Sequence, residues 1–140
     1  MRINARGQTF HIPSAADMKF AEIDDTGANV IEAYGEGRVR VNGRDYARSI
    51  AVSAEQVLVD WGPEHVDALS IAHLEAVVGD ATQVLILGTG SRQCFPSPEV
   101  HFALLERGIG VEVMDTGAAC RTYNILVSEG RDVVAALMLD

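Results

Sequence analysis

The sequence predicts an α/β fold: a three-layer single domain with a mixed central sheet, helices packed on it, and an N-terminal β-hairpin region. Three observations predict it. Asn42-Gly43 stands between alternating segments, which is the strongest short hairpin signal because a type I′ turn needs positive φ at both central positions. Val84–Leu87 and Val133–Leu139 are apolar without alternation, as strands buried on both faces are. Two helix-entry signals, Ser97-Pro98 and Asp115-Thr116, are each answered by a glycine, Gly108 and Gly130, that leads directly into a strand, the punctuation of alternating α and β units.

In chain order, residues 1–28 are mixed and poorly periodic. Met1 to Thr26 reads as an arm laid over the core, anchored by Ile3, Phe10, Ile12 and Phe20. A β-rich region follows over 29–61. Val30–Tyr34 is a strand, Gly35-Glu36-Gly37 a turn, Arg38–Val41 a strand, and Arg44–Tyr46 its hairpin partner. The turn at Asn42-Gly43 would set Arg40 opposite Asp45 and Val39 opposite Tyr46, an ion pair on one face and an apolar pair on the other. Ile50–Val52 and Gln56–Asp60 continue the strands until Trp61-Gly62-Pro63.

The α/β region spans 62–140. A helix is expected over Ser70–Val78, closed by Gly79 in the left-handed position. After the strand Val84–Leu87, Ser97 serves as N-cap and Pro98 as first helical residue of a helix reaching Arg107. Ile109–Met114 is a strand. Asp115 or Thr116 caps a helix ending near Glu129, and Val133–Leu139 is the last strand.

The composition excludes several classes. The 140 residues carry 20 acidic against 11 basic side chains, a net charge of −9, which disfavours nucleic acid and anionic bilayers as partners. Arg38, Arg40, Arg44 and Arg48 form one local basic excess on the hairpin, offset in part by Asp45 and lacking the aromatic platform that nucleic acid binding needs. A 48% apolar content fits a folded domain with one core, and its concentration in Val84–Leu87 and Val133–Leu139 assigns it to the buried sheet rather than to an exposed surface. No apolar run is long enough for a membrane span, and the first residues lack a signal-peptide pattern, so a cytoplasmic location is expected. Two cysteines make no disulfide scaffold. His11, His65, His73 and His101 have no paired ligand spacing, so no metal is expected, nor any cofactor.

A site is expected where the loops after Leu87 and Met114 emerge together, because open α/β sheets bind ligands outside the carboxyl ends of their strands. The candidate residues are Gly88, Thr89, Gly90, Ser91, Arg92 and Cys94 from the first loop, with Asp115, Thr116, Cys120, Arg121, Tyr123 and Asn124 from the second and its helix. Helix N-termini and two arginines suit a small anion there. Gly88-Thr89-Gly90 matches the start of a dinucleotide fingerprint, but the sixth position is Gln93, and a strand-to-helix turn explains the glycines equally well. Cys94 and Cys120 lack CxxC spacing and read as small buried residues in preference to thiols activated near a helix N-terminus. Asn124, mid-helix, either caps a neighbouring loop through its amide or contacts a ligand or partner. No acid, base or nucleophile is assembled for chemistry, so no catalytic residue is assigned.

Leu87–Gly90, Gly108–Thr116, Ala118–Leu126 and Glu129–Arg131 together resemble an uncharacterised α/β domain family of bacteria and archaea. Its eukaryotic relatives include a mitochondrial assembly factor for respiratory complex I and an adipogenesis-associated protein. The resemblance implies a mixed central sheet flanked by helices and β-structure, supplies no catalytic residues, and points to a non-catalytic interaction or assembly module with a protein partner in a membrane-associated complex, a respiratory one in the mitochondrial relatives. Such a module would expose a contiguous apolar patch. The alternative is a small anionic metabolite or nucleotide held in the crevice. A monomer and a homodimer both fit the pattern.

Overall fold

The computed structural model describes Met18–Lys19 and residues 27–139. The arm anchors expected at Ile3, Phe10, Ile12 and Phe20 lie outside the described residues. The described residues form a four-stranded sheet, order β1 (Met18–Lys19), β2 (Ile31–Gly35), β3 (Arg38–Val41), β4 (Arg44–Tyr46), and a five-stranded sheet. The latter runs β6 (Val57–Val59), β5 (Ile50–Ser53), β9 (Val133–Met138), β7 (Val84–Thr89), β8 (Gly110–Met114).

The first sheet follows from its turns. Asn42 and Gly43 have φ of 53° and 78°, the pair of left-handed residues a type I′ turn requires. Val39 therefore lies opposite Tyr46 and Arg40 opposite Asp45, with Arg40 Nε donating to Asp45 Oδ1 at 2.9 Å. Between β2 and β3, Glu36 and Gly37 make a second two-residue turn with φ of 53° and 73°.

In the second sheet, β7, β8 and β9 are mutually parallel, while β5 is antiparallel to both β9 and β6. The sheet is mixed, as expected. The chain moves from β7 to β8 through α2 (Pro98–Glu106), then back past β7 to β9 through α3 (Thr116–Ser128). Right-handed crossovers in opposite directions place their helices on opposite faces. That segregation is visible in the two cores. Val84, Ile86, Ala135 and Leu137 share one core with Ala119, Cys120, Tyr123 and Val127 of α3 and with Ile31, Val39 and Val41 of the first sheet. Leu85, Leu87, Val134, Ala136 and Met138 face Trp61, Leu74 of α1 (Ile71–Glu75), and Val100 and Leu104 of α2. Both strands are apolar throughout because each face of the pleat has its own core, and each fully buried Leu or Ile contributes about 1.5–3 kcal/mol.

Boundaries depart from expectation by more than one residue in two places, and by a single residue at several other strand and helix ends. The helix expected over Ser70–Val78 spans only Ile71–Glu75, although Ser70 is its N-cap in a capping box with His73. The Ala76 N–H still bonds the Ala72 carbonyl, but the Val77 N–H turns back three residues to the Leu74 carbonyl at 3.1 Å, and a separate turn, Gly79 N–H to Thr82 Oγ1 at 2.9 Å, captures the chain beyond. Gly79 is accordingly not in the left-handed region, whereas Gly108 (φ 79°) and Gly130 (φ 80°) are. Strand β7 extends past Leu87 through Thr89, because Gly88 pairs with Met114 and Leu137 and Thr89 with Met138.

Tyr123 and Asn124 join the layers. Tyr123, fully buried, donates from its hydroxyl to the Asn29 carbonyl at 2.7 Å. Asn124 accepts the Ile31 N–H through Oδ1 and donates through Nδ2 to the Ile31 carbonyl, both at 2.9 Å. Its carboxamide thus stands in for a neighbouring strand, beside the point where β1 pairs with Ala33 and Tyr34. Replacing Asn124 with Ala leaves both groups of the Ile31 residue without that partner, and urea unfolding should show a loss of about 1–3 kcal/mol. An Asn124→Gln variant, with the amide displaced by one methylene, should recover little of it.

Candidate functional site

The carboxyl ends of β7 and β8 lie side by side, and the helices that follow them pack on opposite faces of the sheet, the topology in which α/β sheets form ligand crevices. Its polar groups are turned inward on one another. Thr116 is completely buried; its hydroxyl donates to the Met138 carbonyl at 2.5 Å and accepts the Gly90 N–H at 2.8 Å. The Thr116 N–H in turn donates to the Gly90 carbonyl at 2.8 Å. Thr89 Oγ1 donates to the Arg92 carbonyl at 2.6 Å and accepts the Cys94 N–H at 3.0 Å. Gln93 Nε2 donates to the Val113 carbonyl at 3.0 Å.

Gly88 makes this closure possible. A methyl group there would meet Leu137 Cδ2 at 2.9 Å, Thr116 Oγ1 at 3.0 Å and Ala119 Cβ at 3.1 Å. At the N-terminus of α3, Asp115 is the N-cap and its Oδ1 accepts the Ala118 N–H at 2.9 Å. The position that would favour an anion therefore already holds a carboxylate. A methyl at Gly117 would sit 3.4 Å from Asp115 Oδ1 and 3.7 Å from Arg121 Nη1, so Asp115 and Arg121 gather at the first turn. Ser91 and Arg92 are solvent-exposed on the other loop.

The expected site residues thus divide. Gly88, Thr89, Gly90 and Thr116 come together, with Cys94 tied in through its backbone. Cys120, Tyr123 and Asn124 do not join them, because helical spacing sets Thr116, Ala119, Cys120, Tyr123 and Val127 on the buried face of α3. The reading of Asn124 as the cap of a neighbouring loop is corrected to a strand partner for Ile31. Both cysteines are free, Cys94 half-buried and Cys120 buried. Burial pushes the Cys120 thiol far above its ordinary range; Arg121 pulls the other way and Asp115 adds to the rise. A nucleophilic thiol needs the opposite shift.

An open crevice of about 370 Å³ lies elsewhere, lined in part by Ser53, Glu55, Asp80, Thr82, Arg131 and Asp132, at the amino ends of β7 and β9. More distinctive is the outer face of α2. Val100 and Leu104 are buried against the sheet, while Phe95, Phe102 and Leu105 are 70%, 65% and 47% exposed. With Pro96, Pro98 and His101 they line a groove of about 360 Å³. The expectation that the apolar content is confined to the central sheet is corrected here. The sequence did carry a signal: the helix is apolar at Val100 and Leu104 and again, half a turn round, at Pro98, Phe102 and Leu105, a pattern that needs cover on both sides.

Residues 31–138 match a family described as protein of unknown function, DUF498/DUF598. The chain belongs to that family. It is 31% identical over 101 residues to the 13 kDa major membrane protein of Francisella tularensis, covering 71% of this chain and 82% of that one. It is 32% identical over 113 residues to NADH dehydrogenase [ubiquinone] 1 alpha subcomplex assembly factor 3 of Xenopus tropicalis, covering 77% of this chain. This chain spans 60% of that assembly factor's length. Among solved structures, the crystal structure of a Bordetella parapertussis protein superposes with a TM-score of 0.77 at 40% identity, over 84% of this chain and 100% of that one. The family therefore contains proteins named for assembly of a respiratory complex and for membranes. Among the described residues of this member, no helix is long and apolar enough to cross a membrane.

Two outcomes follow from the closed crevice. Gly88→Ala should destabilise the protein by about 1–3 kcal/mol in chemical unfolding, as overpacking of a filled core does. Cys120 gives a pH signature. From about pH 8.5 the unfolded chain ionises this thiol while the native state keeps its proton, so stability present below that pH falls as pH rises. In Cys120→Ala the alkaline fall should be shallower, by up to about 1.4 kcal/mol per pH unit, in urea titrations at pH 8 to 10.

Proposed function

We propose that the protein is a non-catalytic interaction module that assists assembly of a membrane-associated respiratory complex, working from the cytoplasmic side. One observation carries the reading: the outer face of α2 and the loop leading into it present Phe102, Leu105 and Phe95 to solvent in one groove with two prolines. Contiguous exposed apolar surface of this kind marks interaction sites. A few anchor residues carry most of the energy at such sites, and aromatic side chains, Phe included, are enriched in their cores. The relatives named as complex I assembly factors support the choice of target, and the inward hydrogen bonding of Thr89, Gly90 and Thr116 supports the absence of a catalytic role for the crevice.

The test is affinity capture of tagged full-length protein from detergent-solubilised membranes, with quantitative mass spectrometry of named respiratory subunits. The wild-type protein should enrich at least one such subunit, and Phe102→Asp should reduce that enrichment by about tenfold or more, as the loss of an aromatic anchor does. Because Phe102 is 65% exposed, the variant should melt within a few degrees of wild type. Enrichment of no respiratory subunit, or equal enrichment by Phe102→Asp, would overturn the proposal. So would a thermal shift with a phosphorylated metabolite that disappears when Arg92 and Arg121 are both changed to Ala, since that result returns the function to the crevice.

A further inference from the structure

We infer that the α2 groove receives an amphipathic apolar helix bordered by lysine or arginine, of the kind found where a membrane subunit's helix leaves the bilayer. The inference rests on the proposed assembly role and specifies the chemistry of the partner. Its first support is the character of the lining. Phe95, Pro96, Pro98, Phe102 and Leu105 present carbon to the groove, and His101 is its one ionisable side chain. A polar metabolite needs several convergent donors and acceptors to be oriented, which this lining does not offer. Side chains such as Leu, Ile or Phe fit it, and a volume of about 360 Å³ admits more than one of them.

Charge supplies the second support. On α2, residues seven apart lie on the same side of the helix. Glu99 and Glu106 are such a pair, both exposed, and they form an acidic border along one flank of the Pro98–Phe102–Leu105 stripe. Arg107, at the end of the helix, is within 3.9 Å of Glu75. The whole chain carries −9. An acidic border on an acidic protein selects a basic partner and repels anionic lipid. A second copy laid antiparallel across a two-fold axis would bring this Glu99–Glu106 flank against its own image, and like charges there oppose pairing. A basic border on an apolar helix is what the positive-inside rule places at the cytoplasmic ends of membrane-spanning segments.

The experiment uses the full-length protein and two labelled synthetic helices of about 18 residues, roughly five turns. Both carry leucine at i, i+3, i+4 and i+7; one ends in lysines and the other in glutamates. In fluorescence anisotropy the lysine-ended helix should bind about tenfold or more tightly than the glutamate-ended one, and added salt should narrow the difference. Phe102→Asp should weaken that binding by about tenfold or more. The double reversal Glu99→Lys with Glu106→Lys should transfer the preference to the glutamate-ended helix. Equal binding of the two helices, or binding of neither, overturns the inference. So does a dimer in sedimentation velocity that Phe102→Asp converts to monomer and the lysine-ended helix fails to displace, and so does Phe102-dependent binding to phosphatidylglycerol vesicles. If any of these occurs while capture of a respiratory subunit still depends on Phe102, the partner's chemistry is wrong and the assembly role stands; loss of that capture removes the assembly role itself.

Discussion

Helix α3 can rest on the central sheet only because residue 88 has no side chain. At that point Leu137 of β9 and Thr116 and Ala119 of α3 stand 2.9, 3.0 and 3.1 Å from where a Cβ would sit, closer than van der Waals contact allows, so strand and helix are in direct contact. Much else follows from this seat. It brings Thr116 close enough to bond both the end of β9 and the Gly90 peptide. It brings the same buried face of α3, one to two turns further on, within reach of the first sheet, where Tyr123 and, on the flank of that face, Asn124 secure Asn29 and Ile31. The smaller sheet is thus held to the larger one through a helix, with Ile31, Val39 and Val41 sharing one core with Ile86 and Leu137.

The same closeness settles the character of the switch point. An α/β sheet offers a ligand crevice where successive crossovers diverge, but the crevice is useful only if its backbone donors are unengaged. Here hydroxyls from Thr89 and Thr116 bridge the two loops, and Asp115 satisfies the first turn of α3. These groups rigidify the top of the sheet. The opposite face is packed less completely: α1 is short, α2 buries only Val100 and Leu104, and the remaining apolar side chains of α2 look outward. The exposed apolar surface of the described residues is therefore concentrated on the outer layer.

Much of the fold was legible because it is encoded locally. Asn42-Gly43 determines a turn, the turn determines a register, and Arg40 meets Asp45 as expected. Unbroken apolar runs identified β7 and β9, and Ser97-Pro98, Gly108 and Gly130 marked helix ends. Features that depend on distant partners were not legible. Asn124 meets Ile31 across 93 residues of chain, and nothing in its own neighbourhood specifies that contact. Val77 and Val78 continue the apolar pattern of α1, yet the Gly79–Thr82 turn takes the chain away. The candidate site was legible as a place in the topology. Whether its donors were open could not be read, because that depends on the hydroxyl of Thr116 reaching a carbonyl 22 residues away. The α2 groove was half legible: two apolar stripes on one helix can be counted, but only the packing reveals which of them the sheet covers.

Charge and apolar exposure belong to one design on this account. Exposed phenylalanines invite indiscriminate association, and a protein bearing them needs some means of staying apart from its own copies and from anionic membranes. A net charge of −9 provides long-range repulsion toward both. Repulsion of that kind is screened over roughly 8–10 Å at physiological salt, so it sorts partners at encounter, whereas the groove acts only on contact. The two effects operate at different distances and so do not compete. An apolar segment carrying positive charge passes the first filter and is retained by the second, whereas a neutral or acidic apolar segment gains from the second alone. Selectivity can therefore arise without a deep pocket or a dense set of hydrogen bonds.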